Sequence, residues 1–287
     1  MSGATTLPSS GGKVVLGDNL DVLRSLPDEN FDLVYIDPPF NTHQTRRHTR
    51  VATAADEGGD RTGFGGRRYR TTEVGTMAYG DSFDDFIGFL RPRIVEIRRL
   101  LKASGTMYLH LDPRESHYAK VMCDMVFGRD CFLNEVVWAY DYGARSKTRW
   151  PAKHDDILVY VKDIKRYYFD IEAVGRVPYM APGLVGPEKA ARGKTPTDVH
   201  WHTIVPTAGR ERTGYPTQKP LGVLRRFVAA SCPPGGLVGD FFAGSGTAGA
   251  AAAERGCRFL MVDANPEAVD VMEARFARLG VEVEVCR

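Results

Sequence analysis

LVGDFFAGSGTAGAAAAERG, residues 237–256, is the stretch that decides the fold. It runs from a short apolar segment through a glycine-rich turn into an alanine-rich helical segment. The pattern Gly244-x-Gly246-x-x-Gly249 matches the dinucleotide-binding fingerprint, and Asp263 follows nineteen residues after Gly244, where an acid can bind ribose hydroxyls. Taken alone, this motif favours an NAD-dependent enzyme, with a purely structural turn as the alternative.

The short tail after this motif changes that interpretation. Only 24 residues follow Asp263, too few to complete a doubly wound sheet. The remaining strands must therefore come from earlier in the chain. We predict a circularly permuted sheet in which the cofactor-binding half comes last in the sequence.

Short β-branched segments alternate with helical periodicity along most of the chain. This alternation predicts an α/β fold of Rossmann-like type, with a doubly wound, mostly parallel sheet. The predicted strands lie at 13–16, 32–36, 106–111, 133–138, 157–161, 237–241 and 258–262, with 281–285 as a last edge strand. The predicted helices lie at 19–26, 84–102, 116–127, 221–230, 247–254 and 266–279. Pro92 is expected to kink or interrupt the second helix.

The composition sets limits on the class of protein. The formal charge of +2 is only mildly basic, so a polyanionic partner would have to be met by a local patch. Five scattered cysteines without CxxC spacing argue against both a disulfide framework and a zinc site. No segment resembles a signal peptide or reaches the ~20 apolar residues of a membrane span. We expect a soluble, cytoplasmic protein without a bound metal.

A second motif, YIDPPFNT at residues 35–42, ends a predicted buried strand with a carboxylate, two prolines and an aromatic ring. A simple chain turn would explain the prolines. The chemical alternative is that Asp37 and the Pro38 carbonyl hold two acceptors for the two N–H groups of an amino group. Phe40 would then offer a flat face to the planar ring that carries this amino group.

Four positions fall at the carboxyl ends of predicted strands: Asp18, Asp37, Gly244 and Asp263. Ligands of open parallel sheets bind at that edge, so these residues are expected to line one cleft. A ligand with a ribose for Asp263, a base for Asp18 and a carboxylate for the glycine turn would use them all. S-adenosylmethionine fits this description, with its sulfonium methyl group turned toward Asp37.

With both motifs in place, the chain resembles the amino-methylating DNA methyltransferases of the β arrangement. That family carries a DPPY/F box before the recognition region and an FxGSGT box after it, and the matching residues here are 37–40 and 242–247. The segments GDNLDVLRSLPDENFDLVYIDPPFN at 17–41 and TGYPTQKPLGVLRRFV at 213–228 are also similar to the family. Related RNA and protein methyltransferases typically have the unpermuted order, with the glycine box first.

The resemblance implies transfer of a methyl group from S-adenosylmethionine to N6 of an adenine flipped out of duplex DNA. In the family, Asp in this box is associated with adenine, but an N4-cytosine methyltransferase, an NAD-dependent oxidoreductase and a non-catalytic DNA-binding module stay open as alternatives. The implied catalytic residues are Asp37, Pro38, Pro39 and Phe40. The implied cofactor-binding residues are Asp18, Asp37, Thr217, Gln218, Lys219, Asp240, Phe242, Ala243, Gly244, Ser245, Gly246, Thr247 and Asp263.

The boxes divide the chain into a catalytic half at 1–162, a target-recognition insertion at 163–212 and a cofactor-binding half at 213–287. A cationic stretch at 41–78 lacks periodicity and is predicted to be a long, mobile loop. Because phosphate contacts provide most non-specific affinity for DNA, the expected contacts are the cations Arg46, Arg47, Arg67, Arg68, Arg70, Arg145, Lys147, Arg149 and Lys153. Family members often form homodimers, which is a further expectation.

Two histidine-containing pairs are candidates for a role at the site. His110-x-Asp112 ends a predicted strand near the cleft and is a candidate supporting pair for the catalytic residues. His200-x-His202 flanks Trp201 in a predicted loop, where a surface or packing role is favoured.

Overall fold

The computed structural model describes residues 5–39, 44–56, 58, 61–62, 68–81, 83, 85–143, 145–206 and 209–287. The chain forms two compact units. The first contains Met1–Pro38 and Ile87–Arg287, and the second contains Pro39–Phe86.

The secondary structure alternates between strands and helices over most of the chain. The strands are β1 (Gly12–Leu16), β2 (Phe31–Ile36), β3 (Gln44–Ala55), β4 (Arg61–Thr62), β5 (Arg68–Asp81), β6 (Leu101–Leu111), β7 (Phe132–Ala139), β8 (His154–Val161), β9 (Val199–Trp201), β10 (Leu237–Asp240), β11 (Arg258–Asp263) and β12 (Val283–Cys286). The helices are α1 (Asn19–Ser25), α2 (Phe86–Leu100), α3 (Ser116–Phe127), α4 (Pro187–Arg192), α5 (Leu221–Ser231), α6 (Thr247–Glu254) and α7 (Pro266–Arg278).

The strand order confirms the predicted permutation. The large sheet has the order β12-β1-β11-β10-β2-β6-β8-β7-β9. Neighbours from β12 to β6 are parallel, whereas β8 is antiparallel to both β6 and β7. The C-terminal strands β10 and β11 therefore lie between β1 and β2, and the mostly parallel α/β prediction is confirmed.

This order brings distant parts of the sequence to one edge of the sheet. Strand β2 pairs in parallel with β10, so Asp37 lies beside the turn that follows β10. Strand β1 pairs with β11 so that Leu16 is opposite Asp263, which places Asp18 next to the end of β11. The carboxyl ends that carry the two motifs are thus neighbours.

Both faces of the sheet are covered. All six residues of β2 are buried, although alternate side chains of a strand point to opposite faces. On one face, the ring of Tyr35 packs against Phe227 of α5 with centroids 6.3 Å apart, and Tyr108 of β6 packs against the same ring at 4.5 Å. Burial on both faces explains the nearly continuous apolar sequences of these strands.

The described part of residues 41–78 forms strands, so the predicted long loop is wrong there. Within the second unit, β3 pairs with β5 in antiparallel register and β4 pairs with the start of β5. These strands are rich in Thr, which favours strands. Their sequences lack the alternation of apolar and polar residues that indicates a half-buried strand, so periodicity does not predict them.

Helix α2 continues across Pro92 without a break, so the predicted interruption is wrong. Next to the proline, the Arg93 guanidinium donates to the Phe89 carbonyl at 2.7 Å and lies 3.8 Å from the centre of the Phe89 ring. The guanidinium thus adds a donor to a carbonyl in the turn that contains Pro92.

The insertion at 163–212 is partly regular. Its strand β9 extends the sheet by pairing with β7, so His200 lies on a strand and the predicted loop is wrong there. His200 is buried, and its ring stacks on Phe227 with centroids 5.9 Å apart. In the described structure, the His200 side chain packs within the core against Phe227.

We predict that His200 makes the protein sensitive to acid. Burial, and then the charge of Arg226, lowers the pKa of His200 to about 4. The unfolded chain therefore binds this proton first, and stability falls as the pH decreases from the unfolded value near 6.5 to the folded value. His200→Phe should reduce the loss of unfolding free energy between pH 7 and pH 4 by about 3 kcal/mol. Urea unfolding at both pH values measures it, with His117→Phe on the surface of α3 as the control. Equal pH dependence in the wild type and His200→Phe would contradict the prediction.

Candidate active site

The glycine-rich turn has the geometry that its fingerprint requires. Gly244 and Gly246 have φ angles of +49° and +71°, in the left-handed region that other residues avoid. A Cβ on Gly244 would lie 3.1 Å from the ring of Tyr215, and one on Gly246 would lie 2.8 Å from Met272. The turn is therefore packed so closely against its neighbours that only glycine fits at these two positions.

The third glycine of the fingerprint serves packing. A Cβ on Gly249 of α6 would lie 2.8 Å from the ring of Phe276 and 3.0 Å from that of Phe259. The missing side chain lets α6 lie close to β11 and α7, which fixes the start of α6 against the turn.

Asp263 holds the turn from the neighbouring strand. Its Oδ2 accepts a hydrogen bond from Gly244 N at 2.8 Å, and its Oδ1 accepts one from Asn265 N at 2.9 Å. Burial raises the pKa of Asp263.

Asp18 is the N-cap of α1, where it accepts a hydrogen bond from Leu20 N at 2.8 Å. Asp18 and Asp263 lie together, as expected, and ribose and base binding by them stay predictions.

Arg275 of α7 supports the glycine-rich turn, a role that no motif in the sequence indicates. It is buried and donates to the Ser245 carbonyl at 3.0 Å and to Thr247 Oγ at 2.9 Å. Burial lowers its pKa to about 10. Thr247 Oγ in turn donates to the Lys219 carbonyl at 3.1 Å, so the turn is joined to the segment before α5.

Asp37 lies at the centre of the site. Its Oδ2 accepts from the ammonium group of Lys219, and both side chains are largely buried. Its Oδ1 is buried and accepts no hydrogen bond from any residue in the described part of the chain. Pro38 beside it is buried as well. A buried carboxylate oxygen without a donor is costly unless a ligand supplies one.

Lys219 faces more than one carboxylate. Besides its contact with Asp37, its charge lowers the pKa values of Asp155 and Asp240. Burial nevertheless raises the pKa of Asp240 well above the ordinary value, while Asp240 accepts from Phe242 N at 3.0 Å. One ammonium group thus balances a cluster of acids at the ends of β2 and β10.

The segment that presents Lys219 is held by its own side chains. Gln218 accepts from Thr213 N at 2.8 Å and donates to the Glu211 carbonyl at 2.7 Å. Thr217 is partly exposed, next to Gln218. The predicted residues Thr217, Gln218 and Lys219 therefore lie beside the turn, but Gln218 is engaged within its own segment.

A buried chain of hydrogen bonds lies behind Asp37. Tyr35 shares a 2.7 Å hydrogen bond with His110 Nδ1, and His110 Nε2 lies 3.1 Å from Asp155 Oδ2. Tyr140 donates to Asp155 Oδ1 at 3.1 Å. Burial alone would raise the pKa of Asp155, but hydrogen bonds from His110 and Tyr140 lower it overall. An ionised Asp155 only accepts, which assigns the proton to Nε2 and makes Tyr35 the donor to Nδ1.

The sequence identified only part of this chain. His110 was predicted near the cleft, whereas Asp112 instead pairs with Arg114 at 2.7 Å on the surface. Tyr35 and Asp155 were missed. One signal was available, because Tyr35 and Asp37 are two positions apart and therefore project from the same face of β2.

The remaining predicted site residues are placed as follows. Phe242 lies near Phe89 with ring centroids 6.1 Å apart, and Ala243 N donates to the Val262 carbonyl at 3.0 Å. Pro39 begins the second unit. Phe40 lies outside the described residues.

The predicted DNA contacts fall into two groups. Arg145, Lys147 and Arg149 are exposed between β7 and β8, where Lys153 pairs with Asp141 at 3.1 Å. The second group lies in the second unit, where Arg68 is exposed and Arg70 pairs with Asp56 at 2.8 Å. The side chains of Arg46 and Arg47 are not described. Arg67 lies outside the described residues.

The described residues include no group of three or more His, Cys, Asp or Glu side chains arranged to hold a metal ion. Across the same residues, every helix is too short or too polar to cross a membrane.

Comparison with known proteins identifies the family of this site. A DNA methylase family model, N6_N4_Mtase, matches residues 31–274, more than half of the chain. The chain is 29% identical over 267 residues to the DNA adenine methyltransferase YhdJ of Escherichia coli (strain K12), covering 88% of this chain and 79% of that protein. It is 27% identical over 273 residues to the type II methyltransferase M.ScaI of Streptomyces caespitosus, covering 90% and 79%.

Comparison with solved structures finds the same fold in a DNA methyltransferase. The structure of the PvuII DNA methyltransferase (cytosine-N4-specific) matches with a TM-score of 0.66 at 16% identity, covering 93% of this chain and 86% of that one. At this identity the match shows a shared fold. The family match spans both the DPPF box and the glycine-rich turn, and the chain belongs to the DNA methylase family N6_N4_Mtase.

Proposed function

We propose that the protein is a site-specific DNA methyltransferase that transfers a methyl group from S-adenosylmethionine to N6 of an adenine. The observation that carries this proposal is the buried Oδ1 of Asp37, which has no donor among the described residues and lies beside the glycine-rich turn. An exocyclic amino group would supply the missing N–H. The names of the relatives YhdJ and M.ScaI support the reaction class.

The residues of the turn fit S-adenosylmethionine. Gly244 and Gly246 take left-handed backbone conformations that side-chain-bearing residues avoid, so the turn presents backbone at the carboxyl end of β10. The first turn of α6 begins there, and its N–H groups suit a carboxylate. Asp263 at the end of β11 is placed for ribose hydroxyls. When bound, the cofactor supplies an electrophilic methyl group.

Asp37 and Pro38 would orient the nucleophile. The lone pair of an exocyclic amino nitrogen is delocalised into the base, so the nitrogen is a poor nucleophile. If Asp37 Oδ1 and the Pro38 carbonyl each accept one N–H, the lone pair turns away from the ring plane and toward the methyl donor. The carboxylate also stabilises the positive charge that develops on nitrogen, and it is placed to accept the proton that nitrogen loses.

The target base must leave the duplex to reach Asp37. Extruding a base costs a few kcal/mol, and stacking on protein aromatic rings of ~1–3 kcal/mol per base offsets part of it. We assign that stacking to Phe40, from its place in the box. The exposed cations Arg145, Lys147 and Arg149 would contact phosphates.

An N4-cytosine methyltransferase is the second candidate, because both amino groups have the same donors. The specific observation in its favour is the match to a cytosine-N4-specific enzyme in fold. Asp37 in the box and the adenine-specific relative favour adenine. Analysis of nucleosides by mass spectrometry separates N6-methyladenine from N4-methylcytosine.

The decisive experiment identifies both the methylated base and the DNA sequence in which it lies. DNA from methylation-deficient cells that express the chain is expected to contain N6-methyladenine within one short sequence, and DNA from cells that express Asp37→Ala is expected to contain none. Sequencing that detects modified bases makes the measurement. Tight NAD binding by calorimetry, with no binding of S-adenosylhomocysteine, would instead support an oxidoreductase.

Two further proposals concern the setting. A cytoplasmic location follows from a DNA substrate. A homodimer is supported by an exposed apolar stripe on α3, where Tyr118, Val121 and Met125 are 67%, 54% and 77% exposed on one side of the helix.

A further inference from the structure

The loop between β7 and β8, residues 140–153, leaves the sheet at the edge that carries Asp37. Strand β7 runs in the same direction as β6 and β2, because β8 is antiparallel to both β6 and β7. The loop is closed at its base by a 3.0 Å hydrogen bond from Tyr140 N to the Lys153 carbonyl. Through Asp155 and His110, the Tyr140 hydroxyl is also linked to the strand that ends at Asp37.

Trp150 in this loop is 96% exposed. A tryptophan side chain offers roughly 150–250 Å² of surface, and covering it is strongly favourable. Pro151 restricts Trp150 to extended backbone geometry. Ser146 Oγ accepts from Thr148 N and Arg149 N, both at 3.2 Å, so the preceding residues form an ordered turn. The indole is thus presented to solvent on a defined backbone.

The charged residues around Trp150 indicate which class of ligand binds the exposed indole ring. Arg145, Lys147 and Arg149 are exposed and form no ion pair with the described residues, whereas the acid of the loop, Asp141, is paired with Lys153. Unpaired cations repel a basic partner and attract phosphates. A flat ring among such cations suits a ligand that has both phosphates and stacked planar faces, which is nucleic acid.

We propose that Trp150 enters the base stack of duplex DNA and fills the space that the target base leaves when it moves toward Asp37. This inference rests on the proposed methyltransferase function. Apolar side chains that insert between bases separate them and stabilise the distorted duplex. Stacking on an aromatic ring tolerates any base, so Trp150 holds the open state without reading the sequence.

The test uses duplexes in which 2-aminopurine replaces the target adenine, at the site that sequencing has identified. The fluorescence of 2-aminopurine rises when it leaves the stack. In Trp150→Ala, we expect the flipped fraction to fall about tenfold or more, given the usual strength of base–aromatic stacking, with an intermediate loss in Trp150→Phe. Leu279→Ala removes an exposed apolar side chain at the end of α7, outside the loop, and should flip the base like the wild type.

The outcomes separate the two proposals. Since Trp150 is exposed, its variants should keep the wild-type melting temperature. Wild-type flipping and methylation by Trp150→Ala would overturn the role of Trp150 and leave the methyltransferase intact. An equal loss in Leu279→Ala would also overturn it, because the effect would not be specific to the loop. The separate sequencing assay shows whether the wild type methylates DNA at all. If it does not, the proposed methyltransferase function itself is overturned.

Discussion

Asp37→Asn is expected to lower the rate of methyl transfer by about 10²–10³-fold, the usual loss when one preorganised electrostatic contact to a transition state is removed. Asparagine has the same shape, but its amide is neutral and can present an NH₂ group to the incoming N–H groups. The buried Oδ1 would lose both its role as acceptor and its ability to take the proton. The rate is measured by single-turnover transfer of a radiolabelled methyl group with saturating DNA.

The control for this variant is Asp270→Asn, the same chemical change on the exposed surface of α7, where Asp270 pairs with Arg287. It should retain the wild-type rate. Binding of S-adenosylhomocysteine by Asp37→Asn, measured by calorimetry, shows whether the cofactor site remains. A rate within threefold of the wild type in Asp37→Asn would show that Asp37 does not act on the amino group.

Lys219→Met is expected to damage both activity and stability. The variant leaves Asp37 buried without its cation, and breaking one partner of a buried ion pair typically costs about 3–5 kcal/mol. Methyl transfer should fall by about 10²-fold, because the carboxylate loses the contact that orients it. Unfolding by urea and single-turnover assays measure the two effects.

The stability loss should depend on pH in a defined direction. Burial raises the pKa of Asp240, and Lys219 lowers it, so removing Lys219 raises the folded-state pKa further. A carboxyl group with a raised folded pKa destabilises the fold as the pH rises through the interval between the unfolded and folded values. The difference between the wild type and Lys219→Met should therefore be larger at pH 8 than at pH 5.

Lys219→Arg is the matched control, because it keeps the charge on a similar stem. It should recover most of the stability and only part of the rate, since its planar group cannot reproduce the contact of the ammonium. If Lys219→Met and Lys219→Arg lost the same stability, the charge of Lys219 would not be what stabilises the acid cluster.

The sequence predicted the parts of the fold that carry strong apolar patterns. Strand β2 and the segment from β10 to α6 were predictable because continuous apolar runs and a glycine fingerprint are local signals. That β2 and β10 belong to one sheet was predictable, because the 24 residues after Asp263 are too few to complete a doubly wound sheet. The three-stranded sheet of the second unit was not predictable, because the sequences of its strands show no alternation of apolar and polar residues.

The contacts of the site were harder to predict than its residues. Asp37 and Lys219 were both identified, but their ion pair joins positions 182 residues apart in the sequence. The bond from Asp263 to Gly244 N and the support from Arg275 depend on backbone positions in the fold. Such contacts follow from strand order and register, which no spacing in the sequence specifies.

The insertion of β10 and β11 between β1 and β2 has a consequence for protein synthesis. Both neighbours of β1 in the sheet, β11 and β12, follow it by more than two hundred residues in the chain. A growing chain therefore exposes both edges of β1 until β11 and β12 have been synthesised, and contacts between such distant segments form slowly. During that time, the unpaired edges of β1 can pair with the strands of other chains.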